Sequence, residues 1–177
     1  MKKNIVKFIV FLVFAGIGYL GYAVVEKINH KKTVEKELNE LPSFNLITAD
    51  STAFSSKQLK NHKPVVILYF NSECHFCQEE ATQISNLKEE FSSAELLFIS
   101  REDPEKIKAF AQTYKLNNHD NIHFLHDLGN AFSTKFDVNS IPFTMVYSAD
   151  RSLLAKYKGA VKANTLLKDL TIDSLFK

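Results

Sequence analysis

The chain sets Cys74-His75-Phe76-Cys77 three residues after the apolar run Val65-Val66-Ile67-Leu68-Tyr69-Phe70 and just before Ala81, Ile84, Leu87 and Phe91, which recur at helical spacing. A continuous apolar run reads as a buried strand, and the spacing after it reads as an amphipathic helix, so the pair stands at a strand-to-helix junction. These are the only 2 cysteines in 177 residues. At the first turn of a helix, the first sulfur meets unpaired backbone N–H groups and the positive end of the helix dipole. Both favour thiolate, the species that attacks a disulfide. The residues therefore predict a dithiol–disulfide redox pair. A tetrahedral zinc site would have to recruit two histidines, of which only His75 is adjacent, so no metal is expected. A c-type haem attachment needs histidine after the second cysteine, and Gln78 stands there. A purely structural bridge closing so short a loop would remove little entropy from the unfolded chain. No cofactor is implied.

The N-terminus has a different character. From Phe8 to Val25 the chain carries no charge and is mostly apolar, and Lys2, Lys3 and Lys7 precede it. With about 1.5 Å of rise per residue, a helix over residues 5–25 is long enough for a hydrocarbon core of about 30 Å. The expected organisation is a cytoplasmic start at 1–4, a transmembrane anchor in the lipid bilayer at 5–25, a polar and helical tether at 26–40, and a folded domain at 41–177. Gly21-Tyr22-Ala23 also fits a cleaved signal peptide, although the apolar run is longer than such peptides usually carry. Lys27, Lys31, Lys32 and Lys36 nearly balance the lysines ahead of the span, so charge alone does not orient it. A signal-like N-terminus exports the polypeptide C-terminal to it, and a lone dithiol is most useful outside the reducing cytosol. The expected location is the bacterial inner membrane, single-pass, with the domain extracytoplasmic or periplasmic.

A net charge of +2 from 22 basic and 20 acidic residues, spread along the chain, gives no field that points to nucleic acid. Beyond the tether, element types alternate. Leu96-Leu97-Phe98-Ile99 and Ile122-His123-Phe124-Leu125 read as strands, and Asp103-Pro104 opens a helix presenting Ile107, Phe110, Ala111 and Tyr114. A short helix at 130–136, strands at 143–147 and 153–157 around a turn at 148–151, and an amphipathic end with Leu166, Leu167 and Leu170 complete an α/β class: a mixed sheet flanked by helices. His30, His62, His119, His123 and His126 read as tether or loop residues.

The order Phe70-Asn71-Ser72-Glu73-Cys74-His75-Phe76-Cys77, then Ser140-Ile141-Pro142-Phe143 opening a later strand, then a hairpin and a terminal helix, resembles the thioredoxin fold. Leu41-Pro42-Ser43-Phe44-Asn45-Leu46, similar to an N-terminal hairpin, and the additional strand and helix at about 95–120 resemble the membrane-anchored TlpA/ResA-like group. The resemblance spans roughly residues 40–175. It implies that Cys74 is the nucleophile, Cys77 the resolving thiol, Pro142 a cis-proline that with Ile141 shapes the substrate groove, and Glu80 a carboxyl tuning the thiols. Leu68 occupies the place where ordinary thioredoxins keep a buried aspartate. Glu73, His75 and Phe76 depart from the usual neighbours of the motif: a protonated His75 would favour thiolate at Cys74, and Glu73 would oppose it. The implied activity is extracytoplasmic reduction of protein disulfides, such as those of exported proteins or cytochrome c precursors. Its partners would be thiol or disulfide client proteins and a membrane thiol-transfer donor. An oxidant or isomerase of the same fold stays open. So does a copper-handling assembly factor using Cys74, Cys77 and a histidine such as His126. A peroxidase of the peroxiredoxin type would need proline and threonine or serine where Ile67 and Asn71 stand.

Overall fold

The computed structural model describes the backbone of residues 2–175 and the side chains outside 1–15, 29–31 and 172–177. The chain divides into two units, residues 1–37 and residues 38–177. The first consists of nearly all of helix α1 (Lys2–Leu38). The predicted span at 5–25 lies partly outside the described side chains. Among the described residues, no helix is long and apolar enough to cross a membrane. On α1 the side chains of Ile17, Tyr19, Leu20, Tyr22 and Val24 are exposed, while Leu38 at its end is buried.

The second unit is a seven-stranded mixed sheet. Its elements in chain order are β1 (Asn45–Thr48), β2 (Ala53–Ser55), β3 (Val65–Tyr69), α2 (His75–Asn86), β4 (Glu95–Ser100), α3 (Pro104–Thr113), β5 (Ile122–His126), α4 (Ala131–Lys135), β6 (Phe143–Tyr147), β7 (Leu153–Lys158) and α5 (Ala163–Leu175). The spatial order is β2-β1-β5-β4-β3-β6-β7. Strands β3, β4 and β5 run parallel through the crossovers α2 and α3, and the remaining pairings are antiparallel. Every residue of β3, β4 and β6 is buried. Strands covered on both faces read as unbroken apolar runs, which is why the sequence shows them as runs and not as alternations.

Helix α2 starts where the polar segment Asn71-Ser72-Glu73 breaks the apolar run, and it buries Cys77, Glu80, Ala81 and Ile84 against the sheet. The helical spacing predicted one continuous face as far as Phe91. Instead, α2 stops at Asn86: Leu87 leaves helical geometry at φ −118°, and a 3-10 turn over Glu90–Ser93 inserts Phe91 into the core. Phe91 is fully buried, so the periodicity correctly marked burial while the backbone met it by another path. The N-terminal hairpin also lies later than 41–46. Its strands are β1 and β2, and Leu41 instead donates its N–H to the Arg151 carbonyl.

His123, which falls in a segment that reads as a strand although it is also grouped with the loop histidines, and His126, expected in a loop, both belong to β5. His123 lies 2.9 Å from the Glu95 carboxylate, which is almost wholly buried at the start of β4. A buried carboxylate requires a polar partner, and the register that sets Leu97 beside His123 brings the imidazole within reach of Glu95. His126 ends the same strand.

Ile84 is fully buried at the centre of the face that fixes α2. Truncation there removes buried methylenes and leaves a cavity. Ile84→Ala is expected to destabilise the protein by about 2–5 kcal/mol. With no tryptophan in the chain, urea unfolding followed by far-UV circular dichroism is the appropriate measurement. A loss below about 0.5 kcal/mol, the range of surface substitutions, would show that α2 is not held by this face.

Candidate functional site

At the carboxyl end of β3 the chain turns through Asn71-Ser72-Glu73 and enters α2 with Cys74 as its N-cap. The turn is built locally. Asn71 accepts the Glu73 N–H on Oδ1 at 2.9 Å and the Cys74 N–H on its carbonyl at 3.1 Å, as asparagine side chains commonly do in turns. Gln78 closes it from the first turn of the helix, donating from Nε2 to the Ser72 carbonyl at 2.8 Å. Cys74 is half-buried at the helix mouth and Cys77, one turn on, is 2% exposed; both are free thiols here.

The two sulfurs lie close enough to bear on each other's protons. Burial pushes the Cys77 thiol well up, its hydrogen bond to Cys74 adds to this, and a backbone hydrogen bond at Asn71 opposes it. Cys77 thus holds its proton. Beneath lies Glu80, 4% exposed, and its charge reaches Cys77. Burial lifts the Glu80 carboxyl from the ordinary 4.5 to about 7, with the Val161 N–H, donating to Oε1 at 2.7 Å, pulling the other way. The carboxyl is therefore placed to exchange a proton near neutrality. Leu68, in the aspartate position of ordinary thioredoxins, is buried in the core.

The residues around the motif have separate surroundings. His75 is 76% exposed and its ring meets Glu79, one turn on, at 3.2 Å. Phe76 is exposed beside it. Glu73 pairs with Lys106 at 2.8 Å, a hydrogen bond that lowers its pKa and offsets its negative field next to Cys74. Lys106 also stands 3.9 Å from Glu102, whose carboxylate accepts both the Ser72 N–H at 2.6 Å and the Ser72 hydroxyl at 2.7 Å. Sequence reasoning missed Ser72, Glu102 and Lys106. Their contacts span about thirty residues of chain, and Glu102 and Asp103 read only as the approach to a helix.

The Ile141–Pro142 peptide is cis and leads into β6. Phe143 pairs with Tyr69, so the loop at Ile141 and Pro142 emerges beside the segment that carries the motif. Ile141 is partly exposed there, and the Pro142 carbonyl is bound from the other side by the Gly159 N–H. Among the described residues, no three histidine, cysteine, aspartate or glutamate side chains converge as a ligand set for a metal ion.

A parallel βαβ core carrying a dithiol at the strand-to-helix junction, opposite a cis-proline loop, defines a thioredoxin-like α/β protein of the redox-enzyme class. Residues 38–167 match the AhpC/TSA family, and the chain belongs to it. No curated protein sequence matches the chain. Solved structures share the fold. A secreted Mycobacterium tuberculosis disulfide oxidoreductase homologous to Escherichia coli DsbE is 22% identical, with a TM-score of 0.64 over 73% of this chain and 95% of its own. The peroxidoxin BcpB of the same organism is 21% identical, with a TM-score of 0.65 over 75% and 94%. Arabidopsis thaliana ScoI, solved with copper bound, is 12% identical, with a TM-score of 0.62 over 77% and 98%.

The Glu80 geometry carries a pH signature. An unfolded glutamate releases its proton near 4.5 and the folded one near 7, so between these values folding takes up a proton. Stability conferred by this group is therefore full below about 4.5, declines as pH rises toward 7, and levels off above it. Glu80→Gln, which keeps an acceptor for Val161, is expected to remove that decline relative to the wild type, read as urea midpoint against pH. Parallel curves for the two proteins would refute the shifted carboxyl.

Proposed function

We propose that this protein is a membrane-tethered, extracytoplasmic thiol–disulfide oxidoreductase that reduces protein disulfides. The observation that carries the proposal is a half-buried Cys74 at a helix N-cap, one turn ahead of a buried, proton-holding Cys77, with the buried Glu80 carboxyl one turn further along the same helix. The Cys74 thiolate attacks one sulfur of the client disulfide: the client S–S bond breaks, a Cys74–client bond forms, and the other client sulfur leaves as a thiolate. Cys77, losing its proton to Glu80, then attacks Cys74. The mixed disulfide breaks, the Cys74–Cys77 bridge forms, and the client's second sulfur departs as a thiolate that takes up a proton. Two electrons have passed from the Cys74–Cys77 dithiol to the client. A membrane thiol-transfer donor returns them.

Phe76 and Ile141, both exposed beside the motif, supply apolar surface for a client chain. His75, paired with Glu79 and open to solvent, takes a minor part. Tethering is supported by the uncharged run from Phe8 to Val25 and by the apolar side chains exposed on α1. Reduction is favoured over peroxidase chemistry by two residues. Ile67 is buried in β3, and Asn71 spends its side-chain oxygen on the turn, so neither offers the hydroxyl a peroxide site would use.

The decisive measurement is the equilibrium reduction potential of the Cys74–Cys77 couple in the full-length chain, by thiol alkylation and mass shift across redox buffers. The expected value lies near or below about −270 mV, as for a dedicated reductant. A value near about −120 mV would make the protein an oxidant, and failure to form the bridge would overturn the dithiol reading. In a bacterial host, the full-length chain is expected to stay in the membrane pellet after alkaline carbonate washing. Release into the supernatant would remove the anchor.

A further inference from the structure

Beside the loop at Ile141 lies a cavity of about 470 Å³ whose wall includes Tyr69, Arg101, Asn130, Asn139, Ser140 and Ile141. We propose that this cavity is a specificity pocket for an acidic side chain flanking the client's reactive cysteine, with the Arg101 guanidinium as its counter-charge. The inference rests on the dithiol reading of the site and adds the chemistry of the client.

Position comes first. Tyr69 is the last residue of β3, five before Cys74, and Ile141 precedes Pro142. A chain lying along the cis-proline loop with its cysteine at Cys74 therefore has neighbouring residues over this opening. Charge comes second. None of the cavity's described lining residues is acidic, and Arg101, Asn130, Asn139 and Ser140 supply a guanidinium, two carboxamides and a hydroxyl, all hydrogen-bond donors.

The neighbouring cation Lys106 is already engaged: paired with Glu73 of the motif turn, it is also held by Glu102. Among the described residues, no carboxylate stands within ion-pairing distance of the exposed Arg101. Behind the wall, the buried Asp127 carboxylate is satisfied by the Tyr69 hydroxyl at 2.9 Å and the Phe132 and Ser133 N–H groups at 2.8 and 3.0 Å. Its charge is spent on the fold. Arginine's planar fork suits a carboxylate, and a partly enclosed cavity screens the pair less than open solvent does.

The test uses the reduced full-length protein and three peptides, each with one cysteine disulfide-bonded to 2-mercaptoethanol and differing only in aspartate, asparagine or lysine beside it. Exchange rates are read by quenching with an alkylating agent and measuring mass. The aspartate peptide is expected to react about tenfold faster than the lysine peptide at low ionic strength, with asparagine between, and added salt should shrink the ratio. Arg101→Gln should bring the ratio close to one, and Arg101→Glu should reverse it. Equal wild-type rates, or a ratio that survives Arg101→Gln, would overturn the pocket. If an Arg101 variant does not fold, the wild-type ratio and its salt dependence still decide. Hydroxyethyl disulfide separates the two levels: a wild-type protein that cannot reduce it has lost the dithiol reading and this inference together, while one that reduces it but ignores peptide charge has lost only the pocket.

Discussion

The structure depends on the burial of β3 between β4 and β6. A strand covered on both faces and paired along both edges cannot shift register without exposing its apolar side chains or orphaning its backbone groups. Its carboxyl end is therefore a fixed point in the molecule. The chain has to leave the sheet there, and it leaves through the polar turn that delivers Cys74 to the start of α2. The antiparallel partner β6 begins at the same level, so one register places both the dithiol and the cis-proline loop at one end of the sheet.

Burial then differentiates two chemically identical thiols. Cys74, at the helix mouth, is reachable; Cys77, one turn inside, is desolvated and keeps its proton. Glu80 lies one turn deeper on the same helix face, and the same desolvation raises its carboxyl into the range where it can pass protons. A single cause, exclusion of water along one face of α2, thus yields a reachable thiol, a proton-holding thiol and a carboxyl of raised pKa in order. Charges outside this line are balanced locally. Glu73 faces Lys106 and His75 faces Glu79, so the residues flanking the cysteines in sequence perturb them less than adjacency implies.

The strand and helix between α2 and β5 do more than extend the sheet. Through Glu102 and Lys106, the segment grips the motif turn at Ser72 and Glu73, tying the geometry of the cysteines to an element some thirty residues away. It also brings Arg101 to the rim of the cavity beside Ile141. The same end of the sheet thus joins the dithiol to a cavity with a guanidinium in its wall, consistent with α/β sheets placing their sites at the carboxyl ends of strands.

Element types, the α/β class and the identity of the two cysteines were legible in the chain alone, because buried strands and helices leave periodic apolar patterns and a dithiol between them has few other uses. Phe91, Leu166 and Ile107 were marked as interior in the same way, since burial is written in local spacing even where the backbone path differs. Tertiary packing was needed to establish that Glu80 is buried, that His123 serves Glu95 from within a strand, that Glu73 is neutralised by Lys106, and that Ser72 is held by Glu102. Each of these is a contact between residues distant in the chain or a matter of which helix face meets the sheet. A carboxylate's partner and its distance from water are properties of packing, and no local pattern encodes them.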